Sequence, residues 1–213
     1  MSKSGLRTVT ALLLLLATGG TALAQHKATS SSSSSSTSEK KSKLDLLTDG
    51  MKSADGLFKL WYNDQRLLVL LKSSDLDKEF IVLTSIAKGI SHNNVIGGMT
   101  WGFDDDVLWV FKKVGDNIHV LRRNVRFTAN PGTPEAEAVS MAYSDSVLYS
   151  LPIVTDADGG HVVDFTRAFM NDDQGIGRSI GFPGMPFHFT SDRSTWGKIK
   201  AFKENVELRV NAV

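Results

Sequence analysis

The fold of this chain is decided by residues 79–127, which read EFIVLTSIAKGISHNNVIGGMTWGFDDDVLWVFKKVGDNIHVLRRNVRF. The stretch predicts three β-strands, because short apolar runs are separated by glycine-rich or polar segments. The first two runs, 80–86 and 107–111, are apolar on both faces, which is typical of strands in the middle of a core. We therefore expect both of these strands at the centre of the protein.

The third run, 117–127, changes phase along its length. Ile118 and Val120 share one face, whereas Val125 and Phe127 share the other. Because side chains in a strand alternate with a period of two, this change predicts a β-bulge near residues 121–123. Gly115-Asp116-Asn117 predicts a tight hairpin turn between the second and third strands.

The remaining runs bring the predicted total to about eight strands, with one or two short helices. Residues 57–62 and 66–71 predict a hairpin whose second strand is apolar throughout and lies deeper. Thr133-Pro134-Glu135 predicts a helix start, since threonine is a good N-cap and proline suits the first helical position. Strands and helices do not alternate, so the predicted class is mainly β, a β-sandwich or a partly open barrel.

The N-terminal residues carry the pattern of a secretory signal peptide. Lys3 and Arg7 precede an apolar run over 9–17, and Ala22-Leu23-Ala24 is a typical cleavage site. The apolar run is too short for a permanent membrane span, which takes about 20 residues. We expect a bacterial protein exported to the periplasm or the extracellular space.

The predicted organisation has three segments, and the last of them is the folded domain. A serine tract followed by lysines has too few apolar residues to fold and predicts a flexible linker. The final apolar pattern, 206–212, stops without a turn or a polar tail, which suggests a domain truncated at its C-terminal end. The segments are a signal peptide at 1–24, a disordered linker at 25–43 and a β-rich domain at 44–213.

Charge argues against nucleic-acid binding. The chain has 24 basic and 23 acidic residues, and signal cleavage removes two of the basic ones. The resulting balance provides no basic field to attract a phosphate backbone. The chain has no cysteine, so disulfides do not contribute to its stability.

Two long irregular segments are the predicted ligand-binding regions. The connection at 89–102 exceeds the usual hairpin loop of about 2–5 residues, and long loops are often functional. The segment at 174–191 is rich in glycine, proline and phenylalanine. Aromatic side chains in such loops are candidates for ligand contact. The candidates are Trp101, Phe182 and Phe187.

No catalytic, cofactor-binding or metal-binding residue is predicted in this chain. The five histidines show neither a helical i, i+4 pair nor the H-E-x-x-H motif, and G-x-S-x-G is absent. Asp104-Asp105-Asp106 lacks the spacing of an EF-hand and is interpreted as an acidic turn. His119 is interpreted as a strand residue that is packed or hydrogen-bonded in place.

Seven short segments resemble the region that precedes the catalytic domain in large secreted bacterial zinc-dependent metalloproteases. They extend over most of 44–213 and are structural rather than catalytic in character. The segments are GLFKL (56–60), KEFIVLTSIAKGI (78–90), GGMTWGF (97–103), NVRF (124–127), YSDSVL (143–148), VDFT (163–166) and NVEL (205–208).

The resemblance implies a domain of unknown function in a zinc metallopeptidase family. In that family a zinc domain with H-E-x-x-H follows further along, and this sequence ends before such a motif. Zinc is therefore expected in the family's catalytic domain and not in this chain. The implied partners are a zinc peptidase domain or a polypeptide substrate.

Two hypotheses follow for the function. The first is an exported, non-catalytic N-terminal domain that packs against a zinc peptidase domain or presents substrate to it. The alternative is an independent periplasmic or surface module that binds peptides or glycans through its aromatic loops, or through an exposed strand edge.

Overall fold

The computed structural model describes residues 41–89, 96–100, 107–172, 175, 177 and 189–213. These residues form ten strands and three short helices, which confirms the mainly β class. The strands are β1 (Lys52–Ala54), β2 (Lys59–Tyr62), β3 (Leu67–Lys72), β4 (Glu79–Val82), β5 (Val107–Val114), β6 (Asn117–Arg122), β7 (Ser146–Ala157), β8 (Gly160–Asp164), β9 (Thr195–Ala201) and β10 (Val206–Asn211). The helices are α1 (Lys43–Leu47), α2 (Pro134–Ala142) and α3 (Thr166–Phe169).

Eight strands form one antiparallel sheet in the order β1-β2-β3-β8-β7-β6-β5-β4. Strand β7 is twelve residues long and joins the two parts of the sheet, because its first half pairs with β6 and its second half with β8. Strands β9 and β10 form a separate antiparallel pair. We call β1, β2, β3 and β8 the first half of the sheet, and β4 to β7 the second half.

Strand β3 is the most buried strand of the first half. Leu67, Val69 and Leu71 point into the main core, whereas Leu68 and Leu70 point to a smaller cluster on the opposite face. The prediction that this all-apolar strand lies deep is confirmed, and so is its hairpin with β2. The sequence did not predict β1.

The main core lies on one face of both halves, which we call the inner face. Its aromatic rings form a continuous series of contacts, with centroid separations between 5.2 Å for Phe58–Phe80 and 6.5 Å for Phe165–Phe169. Because Phe58 precedes β2 and Phe80 lies in β4, the sheet curls until its two ends approach each other. The rings are those of Phe58, Phe80, Phe111, Phe165, Phe169, Trp109, Tyr149 and Trp196.

The predicted central position of the run at 80–86 is wrong. Strand β4 covers only Glu79–Val82 and forms an edge of the sheet. Its inner residues Phe80 and Val82 pack against the core, but Ile81 is 73% exposed on the other face. The prediction for 107–111 is confirmed, since Trp109, Val110 and Phe111 are buried in β5.

The predicted strand at 117–127 ends earlier, at Arg122. A register shift does occur between Val120 and Leu121, but the extra residue, Leu148, lies on β7. The change of phase marks the end of the strand, because Val125 and Phe127 belong to the following loop. The hairpin turn is confirmed by the pairing of Val114 with Asn117, and Gly115 has the positive φ, 58°, that such a turn favours.

The predicted helix start at Thr133-Pro134-Glu135 is confirmed by α2. Thr133 is the N-cap, and its side chain accepts a hydrogen bond from the Ala136 amide at 3.2 Å. None of the residues of α2 is buried, so the helix lies on the surface of the protein.

Candidate functional site

The outer face of the sheet, opposite the main core, is covered in the first half. Here Trp61, Leu68, Leu70 and Val162 form a buried cluster. Leu44 of α1 packs on this cluster, with Met51, Val154 and Ala157 around it. The N-terminal helix therefore covers the apolar outer face of the first half.

A capping box holds α1 in its helical form. The Ser42 hydroxyl oxygen accepts a hydrogen bond from the Asp45 amide at 3.1 Å, and an Asp45 carboxylate oxygen accepts one from the Ser42 amide at 2.9 Å. Such a reciprocal pair satisfies two amide groups at a helix start that have no partner within the helix. Ser42 and Lys43, at the end of the predicted linker, are the N-cap and the first residue of this helix.

The outer face of the second half is apolar as well. The register places Ile81 opposite Leu108, and places Leu121 between Val110 and Val147. Residues paired in this way share one face of a sheet. We call Ile81, Leu108, Val110, Leu121 and Val147 the outer patch, which crosses all four strands.

The two ends of the outer patch are exposed, with Ile81 73% and Val147 56% accessible to solvent. Val110, in the middle of the patch, is buried. The patch is bordered by an exposed ion pair between Arg123 Nε and Glu79 Oε1, 3.0 Å apart. Isolated exposed apolar residues are ordinary, but a continuous apolar row with polar borders is typical of an interaction surface.

A second exposed apolar feature lies in the loop between β6 and β7. The rings of Phe127 and Tyr143 stack with centroids 3.9 Å apart, although both residues remain more than 40% exposed. Asn124 fixes this loop, because its side-chain amide donates to the carbonyl oxygens of Phe127 and Tyr143. The Asp145 carboxylate accepts a hydrogen bond from the backbone amide of Asn124 at 2.9 Å.

The β6–β7 loop and the β4–β5 connection leave the sheet at the same end. The loop starts after Arg122, which pairs with both Trp109 and Ser146, and the β4–β5 connection starts after Val82, which pairs with Val107. Both excursions therefore extend from the end of the second half where β4 and β6 finish.

The sequence-predicted ligand contacts Trp101, Phe182 and Phe187 lie outside the described residues, as does Asp104-Asp105-Asp106. The outer patch was missed in part because Ile81, Leu108 and Val110 were interpreted as core. A period-two pattern shows which residues share a face, but it does not show whether that face is covered.

The titratable groups of the described residues form no metal centre: no three His, Cys, Asp or Glu side chains among them lie close enough to hold an ion. His119 is half-buried in β6, in agreement with its interpretation as a strand residue. His161 Nδ1 lies 2.5 Å from Asp156 Oδ1. This hydrogen bond is the main cause that lowers the pKa of Asp156 below its ordinary value.

A shallow depression of about 430 Å³ lies beside the β2–β3 turn and is lined by Gly50, Lys52, Tyr62, Asn63, Asp64 and Gln65. The side-chain oxygen of Asn63 accepts hydrogen bonds from the backbone amides of Gln65 and Arg66. The polar groups here stabilise a turn.

Among the described residues, no helix is both long and apolar enough to cross a membrane.

Comparison with known proteins identifies a family for this chain. No curated protein and no solved structure matches the chain. The family model described as "Domain of unknown function (DUF5117)" matches residues 104–212, just over half of the chain, from the start of β5 to the end of β10. The expected domain of unknown function is thereby confirmed, whereas its association with zinc metalloproteases stays a prediction. The chain belongs to the DUF5117 family.

Proposed function

We propose that this protein is an exported, non-catalytic domain of a zinc-dependent metalloprotease-like protein, and that its outer patch packs against a zinc peptidase domain. In this arrangement the domain also helps to present a polypeptide substrate. The proposal rests on the resemblance of seven sequence segments to the region that precedes such peptidase domains, and on the exposed apolar surface of the second half.

The observation that carries the proposal is the difference in cover between the two outer faces. Leu68 and Leu70 are at most 2% exposed beneath α1, whereas Ile81 and Val147 are 73% and 56% exposed. Full burial of an aliphatic side chain stabilises by about 1.5–3 kcal/mol. Burial of the outer patch by a partner would therefore stabilise a complex. The outer face of the first half is already buried when the chain folds.

The partner should be another folded domain rather than a small molecule. The patch extends across four strands of a sheet, whereas small-molecule sites are concave pockets. Its border pairs Arg123 with Glu79, and a polar rim around an apolar centre is the ordinary anatomy of a protein–protein interface.

The test is a binding titration between the purified chain and an H-E-x-x-H peptidase domain from a metalloprotease of the same organism. We expect a one-to-one complex, and Val147→Lys should weaken it at least tenfold because a charge then enters the apolar contact surface at one end of the outer patch. Leu46→Lys is the matched control, since Leu46 is 64% exposed on α1. Absence of a complex, or equal loss in both variants, would overturn the proposal.

A second experiment tests the non-catalytic role. The purified chain incubated with zinc and an unfolded protein substrate should leave the substrate intact. Cleavage that requires zinc and is stopped by a chelator would contradict this part of the proposal.

Export is tested separately by mass spectrometry of the protein isolated from a bacterial host. The expected mature N-terminus is Gln25, after Ala22-Leu23-Ala24. A chain that retains Met1 and stays in the cytoplasm would contradict it.

The alternative function is an independent module that binds peptides or glycans through loop residues that the structure does not describe, or through an exposed strand edge. Its test is Trp101→Ala against a panel of peptides and glycans. Binding that is unchanged, with stability intact, would remove Trp101 from the site.

A further inference from the structure

The free edge of β4 has backbone groups that pair with no other strand among the described residues. The residues of β4 pair with β5 through four registered positions, from Glu79 opposite Val110 to Val82 opposite Val107. Throughout the described part of the chain, their backbone makes hydrogen bonds to no other strand. In an antiparallel ladder every second residue points its N–H and C=O groups away from the partner strand. The outer edge of β4 therefore offers unpaired donors and acceptors at the spacing of a β-strand.

Two other edge strands in the described residues, β1 and β10, are protected. Strand β1 is only three residues long and begins with Lys52, and the backbone just after it is held by a hydrogen bond from the Leu57 amide to the Phe202 carbonyl oxygen. Strand β10 directs Glu207 and Arg209 to solvent. Short length and charge are the usual means by which proteins keep an edge from pairing.

Strand β4 is also short and begins with Glu79, but it carries an exposed apolar side chain near its centre. Ile81 is 73% exposed, and Leu83, just beyond the strand, is 57% exposed. On the inner face the position beside Phe80 is already occupied by the ring of Phe58, with centroids 5.2 Å apart. An added strand thus meets open apolar surface on the outer side and an aromatic ring on the inner side.

We propose that the edge of β4 binds an extended polypeptide segment by strand addition. The backbone of the segment pairs with the unpaired groups of β4, an apolar side chain lies beside Ile81, and a small residue fits the inner side beside Phe58. The occupant is a polypeptide because its backbone supplies donors and acceptors at the required repeat. This inference specifies the strand edge of the alternative function, and it rests on neither a peptidase domain nor Val147.

The test uses a fluorescent hexapeptide of alternating valine and threonine, and the same peptide with alternate backbone nitrogens methylated. We expect saturable binding of the first peptide and at least a tenfold loss for the methylated one, because it keeps the side chains but loses donors. Ile81→Lys should weaken binding at least tenfold. Val114→Lys is the matched control, since Val114 is 44% exposed in β5 and outside the register with β4.

Amide hydrogen exchange locates the peptide. We expect two amides of the four in β4 to gain protection when the peptide binds, and those of β6 and β7 to remain unchanged. Equal binding of both peptides, or protection confined to β6 and β7, would overturn the proposal. Protection of β4 that depends on protein concentration and not on peptide would also overturn it, because a second copy of the chain would then be the occupant. Failure of the peptidase-domain titration leaves these outcomes unchanged.

Discussion

The two halves of the eight-stranded sheet share one core on their inner face, but their outer faces differ. In the first half, Leu68, Leu70 and Val162 lie beneath Leu44 of α1. In the second half, Ile81, Leu121 and Val147 belong to a comparable apolar row, and Ile81 and Val147 at its two ends are exposed to solvent. The outer face of the first half is thus covered in part by a capped helix of only five residues.

The difference teaches that apolar content and burial are separate properties of a strand. Burial of the first outer face contributes to folding, because its side chains leave water when the chain folds. Burial of the second contributes only when a partner binds. Substitutions on the two faces should therefore affect different measurements, folding stability in one half and association in the other.

The largest effect is expected from Leu68→Ala. Leu68 is fully buried in the outer cluster of the first half, and truncation of a buried leucine costs about 2–5 kcal/mol through lost burial and the cavity that remains. The free energy of unfolding from urea titration measures the loss. A loss below about 1 kcal/mol would show that this face is not a tightly packed core.

A smaller effect is expected from Ser42→Ala, which removes the capping box of α1. Loss of an N-cap costs about 0.5–2 kcal/mol, and here it acts on the helix that covers Leu70. Hydrogen exchange should show faster opening at Leu46 and Thr48, whose amides donate to Ser42 and Leu44 carbonyl oxygens. Unchanged exchange at both amides would mean that packing of Leu44 alone holds the helix.

The matched substitution in the second half, Ile81→Ala, should change folding stability by no more than about 0.5 kcal/mol, as expected for an exposed position. Urea titration again gives the number, and Leu68→Ala serves as the comparison. A destabilisation of about 2 kcal/mol or more would show that Ile81 is covered in solution and would remove the contrast between the halves.

The smallest effect concerns the Asp156–His161 hydrogen bond, near the end of β7. The pKa of Asp156 lies below its ordinary value of 3.8, chiefly because His161 donates to its carboxylate. Because the pKa of this carboxyl group is lower in the folded state, its ionised form stabilises the fold at pH values above the pKa of the unfolded state. This contribution is lost as the pH falls through the pKa of the folded state. In His161→Gln, carboxyl NMR titration should place the Asp156 pKa nearer 3.8. A further decrease would contradict this assignment.

Much of the fold could be predicted from the sequence. The Gly115 turn, the Thr133 cap and the depth of β3 were predicted correctly. Turn chemistry, capping and a continuous apolar run are all visible within a few residues of the sequence. The position of β4 was predicted wrongly, since nothing in residues 80–86 shows that they occupy an edge. Strand order depends on contacts between distant segments such as β3 and β8, which periodicity does not report.

The candidate site was harder to predict for the same reason. Sequence reasoning selected aromatic residues in long loops, whereas the outer patch consists of aliphatic residues on four different strands. Ile81 and Val147 are 66 positions apart in the chain and share a surface only through the register of β4 to β7. A local motif could not have indicated this arrangement.

The central claim is that the outer patch of the second half is buried by a zinc peptidase domain. Hydroxyl-radical footprinting of the chain, alone and mixed with an H-E-x-x-H peptidase domain from the same organism, tests it directly. We predict that oxidation of Ile81 and Val147 slows several-fold in the mixture, while that of Leu46 on α1 is unchanged. Unaltered oxidation at Ile81 and Val147, or protection at Leu46 alone, would contradict the account.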